Sequence, residues 1–343
     1  MSTTAAEQAA MCRALDLAAT PGVPLAPNPR VGCVLLSPEG QVIAEGFHRG
    51  AGTPHAEVDA LSAAGSRARG STAVVTLEPC RHTGRTGPCT QALIEAGVAR
   101  VVFAQSDPNP TAAGGAQALL AAGIEVVPGL HAQAARELNP AWSRAMELQR
   151  PYVTWKFATM LDGRSAAADG TSRWVSNEAA RLDTHRLRSL CDVMLVGTQT
   201  VAVDDPHLTV RDAGGDLVGP QPLRVVMGER DLSGDRRVFD GAAETVHLRT
   251  RDPRQVLAEL WSRDRRHVFL EGGPTLAAAF LTAGVVDEVI AYVAPTLLGS
   301  GAPAVADLAI TTIADAVRLP VVDVTVIGEG TDLNVRLTMR GEG

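Results

Sequence analysis

The chain has 343 residues, which a prior of about 150 residues per domain divides into two domains, each long enough for its own core. Hydrophobic residues make up 45% of it, too many for a disordered chain, yet no apolar run approaches the roughly 18 residues of a membrane span. A net charge of −7 without any basic run excludes the electrostatic footprint of duplex or anionic-membrane binding, and 3% aromatic residues leave few stacking platforms for single strands.

Met1 to Gln8 lacks both the basic and the apolar segment of a secretory signal, so the expected compartment is the cytoplasm. Glu7 to Ala19 has helical spacing through Met11, Leu15 and Ala18. Gly32 to Leu36 and Val42 to Gly46 read as strands joined by a turn at Pro38-Glu39-Gly40. A helix is predicted from Pro54, a strand over Thr72 to Leu77, a helix over Pro88 to Ala96 and a strand over Arg100 to Ala104. A helix over Gly115 to Ala122, a strand over Ile124 to Pro128 and a helical stretch from His131 to Leu138 complete the first half. Pro140 and Pro151 bracket a polar stretch that reads as an interdomain connection, with the boundary near residue 148. The second half predicts strands at 152–157, 192–197, 223–227, 244–248, 267–271, 286–293 and 333–339, and helices at 177–190, 253–262 and 274–283. Short β-branched strands alternating with helices define a layered α/β protein in both halves, with an antiparallel finish.

Five cysteines, an odd number scattered along the chain, argue against a disulfide framework and direct attention to metal binding. Pro54 at the first helical position would put His55 in the first turn, with Glu57 two residues on. Cys80 follows Glu78-Pro79 at the end of an apolar strand, and Cys89 follows Pro88 at a helix start, where the helix dipole favours a thiolate. One imidazole and two thiolates suit tetrahedral zinc with a fourth position left for water, and Glu57 is placed to shuttle that water's protons. The order H-x-E, then P-C and a further Cys, is the signature of zinc nucleobase deaminases. A closed structural zinc site is the competing reading, with His82 available as its fourth ligand.

Further motifs extend the pattern. Pro27-Asn28-Pro29-Arg30-Val31-Gly32-Cys33, Gly46-Phe47-His48 and the run from Pro79 to Cys89 accompany His55-Ala56-Glu57 in the first half. Leu161-Asp162-Gly163-Arg164, the run from Asp204 through Pro206, Leu208 and Thr209 to Arg211, and Glu271-Gly272-Gly273-Pro274-Thr275-Leu276 stand in the second. With these motifs the chain resembles the bifunctional riboflavin-biosynthesis deaminase–reductase family, over nearly its whole length and in the family's domain order. The eight residues between Cys80 and Cys89 separate it from the P-C-x-x-C of cytidine and tRNA-adenosine deaminases. Gly87 stands where the family usually has a second proline, Arg81 where a small polar residue is common, Met160 where serine is usual, and Gly228-Glu229 in place of an Asp-containing turn. None of these departures removes a metal ligand or Glu57.

The resemblance implies a cytidine-deaminase-like three-layer α/β/α domain over residues 1–147, followed by a dihydrofolate-reductase-like α/β domain over 148–343. The first domain would hydrolyse the 2-amino group of a diaminopyrimidinone ribosylamine 5′-phosphate. Zinc on His55, Cys80 and Cys89 would present hydroxide to C2, and Glu57 would move the protons. Asn28 and His48 would read the base edge and Arg85 would contact substrate or its phosphate; taken alone, a turn-capping Asn and surface polar side chains explain these three as well. The second domain would reduce the ribosyl group to ribityl with NADPH, the hydride going to C1′. Ala158, Trp174, Thr200, Asp204, Gly273, Pro274, Thr275, Leu276, Ala277, Ala278 and Ala279 would contact the cofactor. Ser172, Arg188, Leu208, Arg211 and Glu271 would contact the substrate, the arginines through its phosphate. Asp204 is the candidate proton donor. Small phosphorylated pyrimidines are the expected partners, together with a homo-oligomer (a dimer through the reductase domain), and neither nucleic acid nor membrane.

Apart from the resemblance, the second half has no G-x-G-x-x-G fingerprint. Phe269 to Thr275 runs an apolar strand into two glycines and a proline-started helix, which is either an anion cradle or a tight strand–helix turn. Gly197-Thr198-Gln199-Thr200 offers the same choice. Lys156 is the only lysine beside 30 arginines; it either points into the reductase cleft or survives by chance on a solvated strand face. Alternation pairs it with Thr154 and leaves Trp155 and Phe157 as the core side. Two other classes compete: a zinc deaminase of another base or of tRNA with a C-terminal binding module, and a non-catalytic zinc-binding interaction protein. The acidic charge, the cysteine gap and the Glu271-Gly272-Gly273-Pro274 turn weigh against the first, and Glu57 weighs against the second.

Overall fold

Apolar strands covered by helices build two units, which divide between Gln149 and Arg150; the computed structural model describes residues 2–23, 26–83 and 87–341. The first unit has strands β1 (Gly32–Leu36), β2 (Val42–Phe47), β3 (Thr72–Leu77), β4 (Arg100–Gln105) and β5 (Glu125–Pro128), in the order β2-β1-β3-β4-β5. β1 runs antiparallel to β2 and β3, and the remaining pairs are parallel. Its helices are α1 (Ala5–Ala18), α2 (Ala56–Ala64), α3 (Cys89–Glu95), α4 (Gly115–Ala121), α5 (Ala132–Leu138) and α6 (Pro140–Leu148). β1 is buried along its whole length and β3 and β4 nearly so, as a sheet with helices on both faces requires. Met11 and Ala14 of α1 and Ala135 of α5 pack on Val34, Leu36, Val74 and Val102 at one face. The opposite face takes α2, and two glycines let the helices close in. A Cβ on Gly32 would lie 2.0 Å from the Ala14 carbonyl oxygen, and one on Gly46 would lie 2.4 Å from the Ala60 nitrogen. This is the three-layer α/β/α arrangement that the motifs imply.

Two local expectations differ from the structure. The helix expected from Pro54 begins at Ala56, with His55 as its extended N-cap residue, φ −69° and ψ 161°. The stretch between the bracketing prolines is not an open connection but α6: Pro140 occupies the first turn, where its missing N–H costs nothing, and Trp142, Ala145 and Met146 are buried.

The second unit has β6 (Tyr152–Met160), β7 (Arg164–Ala166), β8 (Val193–Gly197), β9 (Leu223–Met227), β10 (Thr245–Leu248), β11 (His267–Leu270), β12 (Glu288–Ala294), β13 (Ala302–Pro303), β14 (Val321–Glu329) and β15 (Asp332–Arg340). Eight of them form one sheet in the order β10-β9-β8-β11-β6-β12-β15-β14, parallel as far as β12 and antiparallel beyond, while β7 and β13 pair separately. Its helices are α7 (Glu178–Arg188), α8 (Thr198–Asp204), α9 (Pro253–Ser262) and α10 (Pro274–Thr282). Val256, Leu257 and Leu260 of α9 and Ala277 and Phe280 of α10 pack with Trp155, Leu195 and Leu270 in one core. Ala180 of α7 and Val201 of α8 pack with Met194, Phe269, Ile290 and Tyr292 in the other. Both sheet faces are therefore covered near β6, and the solvated-face reading of Lys156 fails: Ala158, two residues on, packs into the second core. Pattern along the chain did not reveal α8, the short β7–β13 pair or β14. The signal for β14 was nevertheless present, since Val322, Val324 and Val326 alternate with Asp323 and Thr325. No helix among the described residues is long and apolar enough to cross a membrane.

Candidate active sites

In the first unit the chemistry gathers where strands end and helices begin. β3 delivers Glu78-Pro79-Cys80, α3 starts at Cys89, and α2 starts just after His55. His55 Nδ1 lies 3.1 Å from Cys89 Sγ and 3.6 Å from Cys80 Sγ, and the three ligand atoms lie within 4.8 Å of one another. Among the described residues this is the group able to hold a metal; His82 does not join it, and its Nδ1 is buried without a partner. The competing closed site thus loses its fourth ligand. A hydrogen bond from Cys89, backed by His55, draws the Cys80 thiol down to about 4, while the same bond and burial push Cys89 up. Cys80 is thus the more acidic of the two thiols, and an N/S/S donor set fits zinc with a fourth position for water.

Glu57, in the first turn of α2, is 3% exposed, and burial followed by the Cys80 charge lifts its carboxyl above the ordinary value. His48 donates through Nδ1–H to the Pro54 carbonyl at 3.0 Å, which leaves Nε2 to accept from the Asn28 amide at 3.0 Å. Its ring stands edge-on to that of His55 with centroids 5.3 Å apart, so Asn28 and His48 do join the metal group. Arg85 lies outside the described residues. The sequence reading missed Asp107, in the turn after β4, whose carboxyl is pushed up to about 7 by burial and by Glu78, Cys80 and Glu57. Its signal was the Asp107-Pro108-Asn109-Pro110 turn directly after an apolar strand. Glu78 braces this wall by accepting the N–H groups of Asp107 at 3.2 Å and Ala116 at 2.9 Å.

In the second unit the site gathers at the C-terminal ends of parallel strands, where open α/β sheets bind ligands. Glu271, just past β11, takes a two-pronged ion pair from Arg188 of α7, Nε to Oε1 at 2.7 Å and Nη2 to Oε2 at 2.8 Å. Arg188 Nη1 also donates to the Thr209 carbonyl at 3.0 Å. Despite burial, Arg188 and then Lys156 and His185 hold the Glu271 carboxyl at about 2. Lys156 itself is drawn down by burial, with Glu271 opposing, and its Nζ lies 5.5 Å from the centre of the Tyr292 ring. Lys156, Arg188 and Glu271 therefore form one cluster, and much of the charge on Arg188 is already neutralised within the chain. Arg211 Nε donates to Thr209 Oγ1 at 3.0 Å beside it.

Gly273 is the N-cap residue of α10, and a Cβ built on it would meet Thr200 Oγ1 at 4.0 Å, which places the cradle next to α8. Trp174, 66% exposed, lies under the Arg181 guanidinium at 4.5 Å; Ser172 is exposed nearby in sequence, and Arg173 Nη2 donates to the Asp204 carbonyl at 3.3 Å. Three expected contacts need correction. Ala277, Ala278 and Leu208 are 0%, 8% and 2% exposed, because one side of α10 and the Leu208 side chain are core. Ala277 and Ala278 thereby leave the accessible lining, which keeps Gly273–Leu276 and the half-buried Ala279, and Leu208 can offer a ligand its backbone only.

A family model described as the cytidine and deoxycytidylate deaminase zinc-binding region matches residues 4–105, and one described as the RibD C-terminal domain matches residues 151–333. A zinc-binding deaminase domain joined to a reductase domain makes the chain a bifunctional enzyme. It is 51% identical over 294 residues to riboflavin biosynthesis protein RibD of Mycobacterium tuberculosis (strain H37Rv), covering 85% of this chain and 86% of the relative. Against RibD of Escherichia coli K12 the figures are 39% over 359 residues, covering 95% and 98%. A solved structure of Acinetobacter baumannii RibD superimposes with a TM-score of 0.88 at 38% identity, covering 98% of this chain and 99% of that one. A Thermotoga maritima diaminohydroxyphosphoribosylaminopyrimidine deaminase/5-amino-6-(5-phosphoribosylamino)uracil reductase gives 0.83 at 31%, covering 98% and 99%. The chain belongs to the RibD family of riboflavin biosynthesis proteins, whose zinc deaminase and NADPH-dependent reductase domains it carries in that order. Neither the tRNA-type deaminase nor the non-catalytic zinc protein is favoured.

Proposed function

We propose that the first unit, residues 1–149, hydrolyses the 2-amino group of 2,5-diamino-6-(5-phosphoribosylamino)pyrimidin-4(3H)-one, and that the second, 150–343, reduces the ribosyl group of the product to ribityl. The observation that carries this reading is a buried, proton-hungry Glu57 beside a three-ligand His55–Cys80–Cys89 group. His55, Cys80 and Cys89 would hold zinc, which when bound makes a coordinated water acidic near neutral pH. Glu57 accepts one proton from the attacking water and delivers it to the ring nitrogen, then carries the second, from the new C2 hydroxyl, to the leaving amine, which departs as ammonia. Asn28 and His48, the latter fixed in one tautomer by Pro54, read the base edge, and Arg85 contacts the substrate or its phosphate.

In the second unit, NADPH supplies the hydride. The backbone N–H groups of Gly273, Thr275 and Leu276, with Thr200, Ala158 and Trp174, hold the cofactor, the phosphate favoured by the helix N-terminus. Glu271 stays ionised and Arg188 stays oriented because each fixes the other, and Lys156 presents a compact ammonium beside them. Arg211 and Ser172 complete the substrate contacts, and Asp204 delivers the proton.

The same reading includes a homodimer through the reductase unit. α7 covers the polar face of the β14–β15 hairpin, where Asp183 pairs with Arg336 at 2.8 Å. The opposite face carries Val322, Val324 and Val326 at 50%, 61% and 61% exposure, an apolar strip suited to a second copy.

The test is to incubate the full chain with the diaminopyrimidinone, with and without NADPH, following ammonia and ribityl product separately. Ammonia is expected in both arms and ribityl product only with NADPH. Glu57→Gln is expected to lose ammonia release by about 10²–10⁴-fold while keeping zinc and reducing pre-deaminated substrate. Wild-type ammonia release from that variant would remove Glu57 from its role, and a zinc-loaded wild type that releases none would overturn the substrate.

A further inference from the structure

Arg224 is fully buried in β9, among the largest side chains in the protein to be so, and touches neither candidate site directly. A guanidinium inside a sheet is costly unless its N–H groups are satisfied. Those of Arg224 are spent on two loops beyond the sheet. Nη1 donates to Asp240 Oδ1 at 2.7 Å, to the His207 carbonyl at 3.2 Å and to the Arg237 carbonyl at 3.4 Å. Nη2 donates to the Asp240 carbonyl at 2.6 Å and to the Ala243 carbonyl, while Nε is left without a partner. Asp240 then reaches back with Oδ2 to the His207 ring, Nδ1 at 2.9 Å. Asp205 closes the circuit by accepting the Arg237 N–H at 2.9 Å.

The loop so held is the Asp204–Arg211 segment. Its backbone needs holding, because Asp205 and Leu208 both sit in the left-handed region, at φ 43° and 52°, which non-glycine residues leave when free to do so. The two anchor points, Asp205 and His207, lie between Asp204, assigned to the cofactor, and Arg211, assigned to the substrate. Asp240 stays ionised and so keeps both of its partners. Burial opposes its charge, yet Arg224, the Ala242 N–H and His207 hold its carboxyl at about 2.

We propose that Arg224 and Asp240, acting through His207, are positioning residues that keep the Asp204–Arg211 segment in its ligand-ready conformation, so that neither NADPH nor substrate has to order it on binding. This rests on the reading that the segment contacts both ligands. If the loop were free to leave that conformation, apparent affinity would fall by the fraction of molecules still holding it, whereas turnover of the bound complex would change little. A merely structural clamp would instead lower the melting temperature and leave both KM values alone.

The experiment uses the full chain with pre-deaminated substrate, below the melting transition of each variant, and measures kcat and KM for NADPH and for substrate. Asp240→Asn, close to isosteric, is expected to raise both KM values about tenfold with kcat within about twofold. Arg224→Lys, which keeps the charge but cannot reach several carbonyls at once, should fall between wild type and Asp240→Asn. Arg224→Met is the severe variant; should it fail to fold, Asp240→Asn and Arg224→Lys still decide. Arg211→Met and Asp204→Asn are measured alongside. If these two move KM while the Arg224 and Asp240 variants lose only thermal stability, the positioning role is overturned. If Arg211→Met and Asp204→Asn leave both KM values unchanged, it is the ligand assignment of the segment that fails.

Discussion

Glu271→Gln removes one charge and almost no volume from the centre of the reductase cluster. Both members of its ion pair with Arg188 are largely out of solvent, at 15% and 13% side-chain exposure, so screening is weak. Its carboxyl is held at about 2 against an ordinary value of 4.5, and each unit of that difference corresponds to about 1.4 kcal/mol. The pair and its neighbours thus stabilise the fold by about 3 kcal/mol at neutral pH, of the same order as the roughly 3–5 kcal/mol lost when one partner of a buried pair is removed. The sign follows from the lowered value. The contribution is complete above the unfolded carboxyl's range, near 4.5, and is lost as pH falls towards 2. Urea unfolding followed by tryptophan fluorescence reads this unit, since Trp155, Trp174 and Trp261 lie in it and only Trp142 lies outside. Wild type and Glu271→Gln are expected to differ by about 3 kcal/mol from pH 7 to 5 and by roughly half of that at pH 3. Reductase activity falls with the charge, and ammonia release does not. A difference under about 1 kcal/mol at pH 7, or one that stays constant down to pH 3, refutes the assignment of the low carboxyl to this pair.

The remaining predictions concern both sites. Metal analysis should find about one zinc per chain in wild type and clearly less in Cys80→Ser; undiminished zinc would remove Cys80 from the ligands. A Cβ on Gly115 would lie 1.8 Å from the Pro79 carbonyl oxygen, so Gly115→Ala must push α4 or the Pro79-Cys80 turn aside. About 1–3 kcal/mol of stability, zinc content and ammonia release should fall together, with reduction of pre-deaminated substrate intact, and an unaffected zinc content counts against that route. Lys156→Arg keeps the charge and changes its shape, Lys156→Met removes it, and both should slow reduction. Full rate and unchanged NADPH dependence in both variants would place the lysine outside the site.

What could be read along the chain were features decided within a few residues of each other. His55 and Glu57 share a helix start, Cys80 ends an apolar strand, and Cys89 opens a helix, so covalent spacing and element type alone already assemble most of a zinc ligand set. The alternation of strand and helix likewise announced layered α/β units. Local signals still misled where one residue serves two ends: Pro140 reads as a break, yet it starts α6. β14 shows the opposite failure, an alternation present in the sequence whose apolar side stays exposed among the described residues rather than joining a core. Asp107, Arg224 and the Lys156–Arg188–Glu271 cluster belong to a different category. Lys156 and Glu271 come together because β11 inserts beside β6 in parallel, and Arg188 joins them only when α7 packs across that sheet. Hydrophobic period tells a strand which face to bury but is indifferent to which strand becomes its neighbour. The charges that meet across strands, and the depressed or elevated proton affinities that follow, are therefore set by strand order, which only the tertiary structure decides.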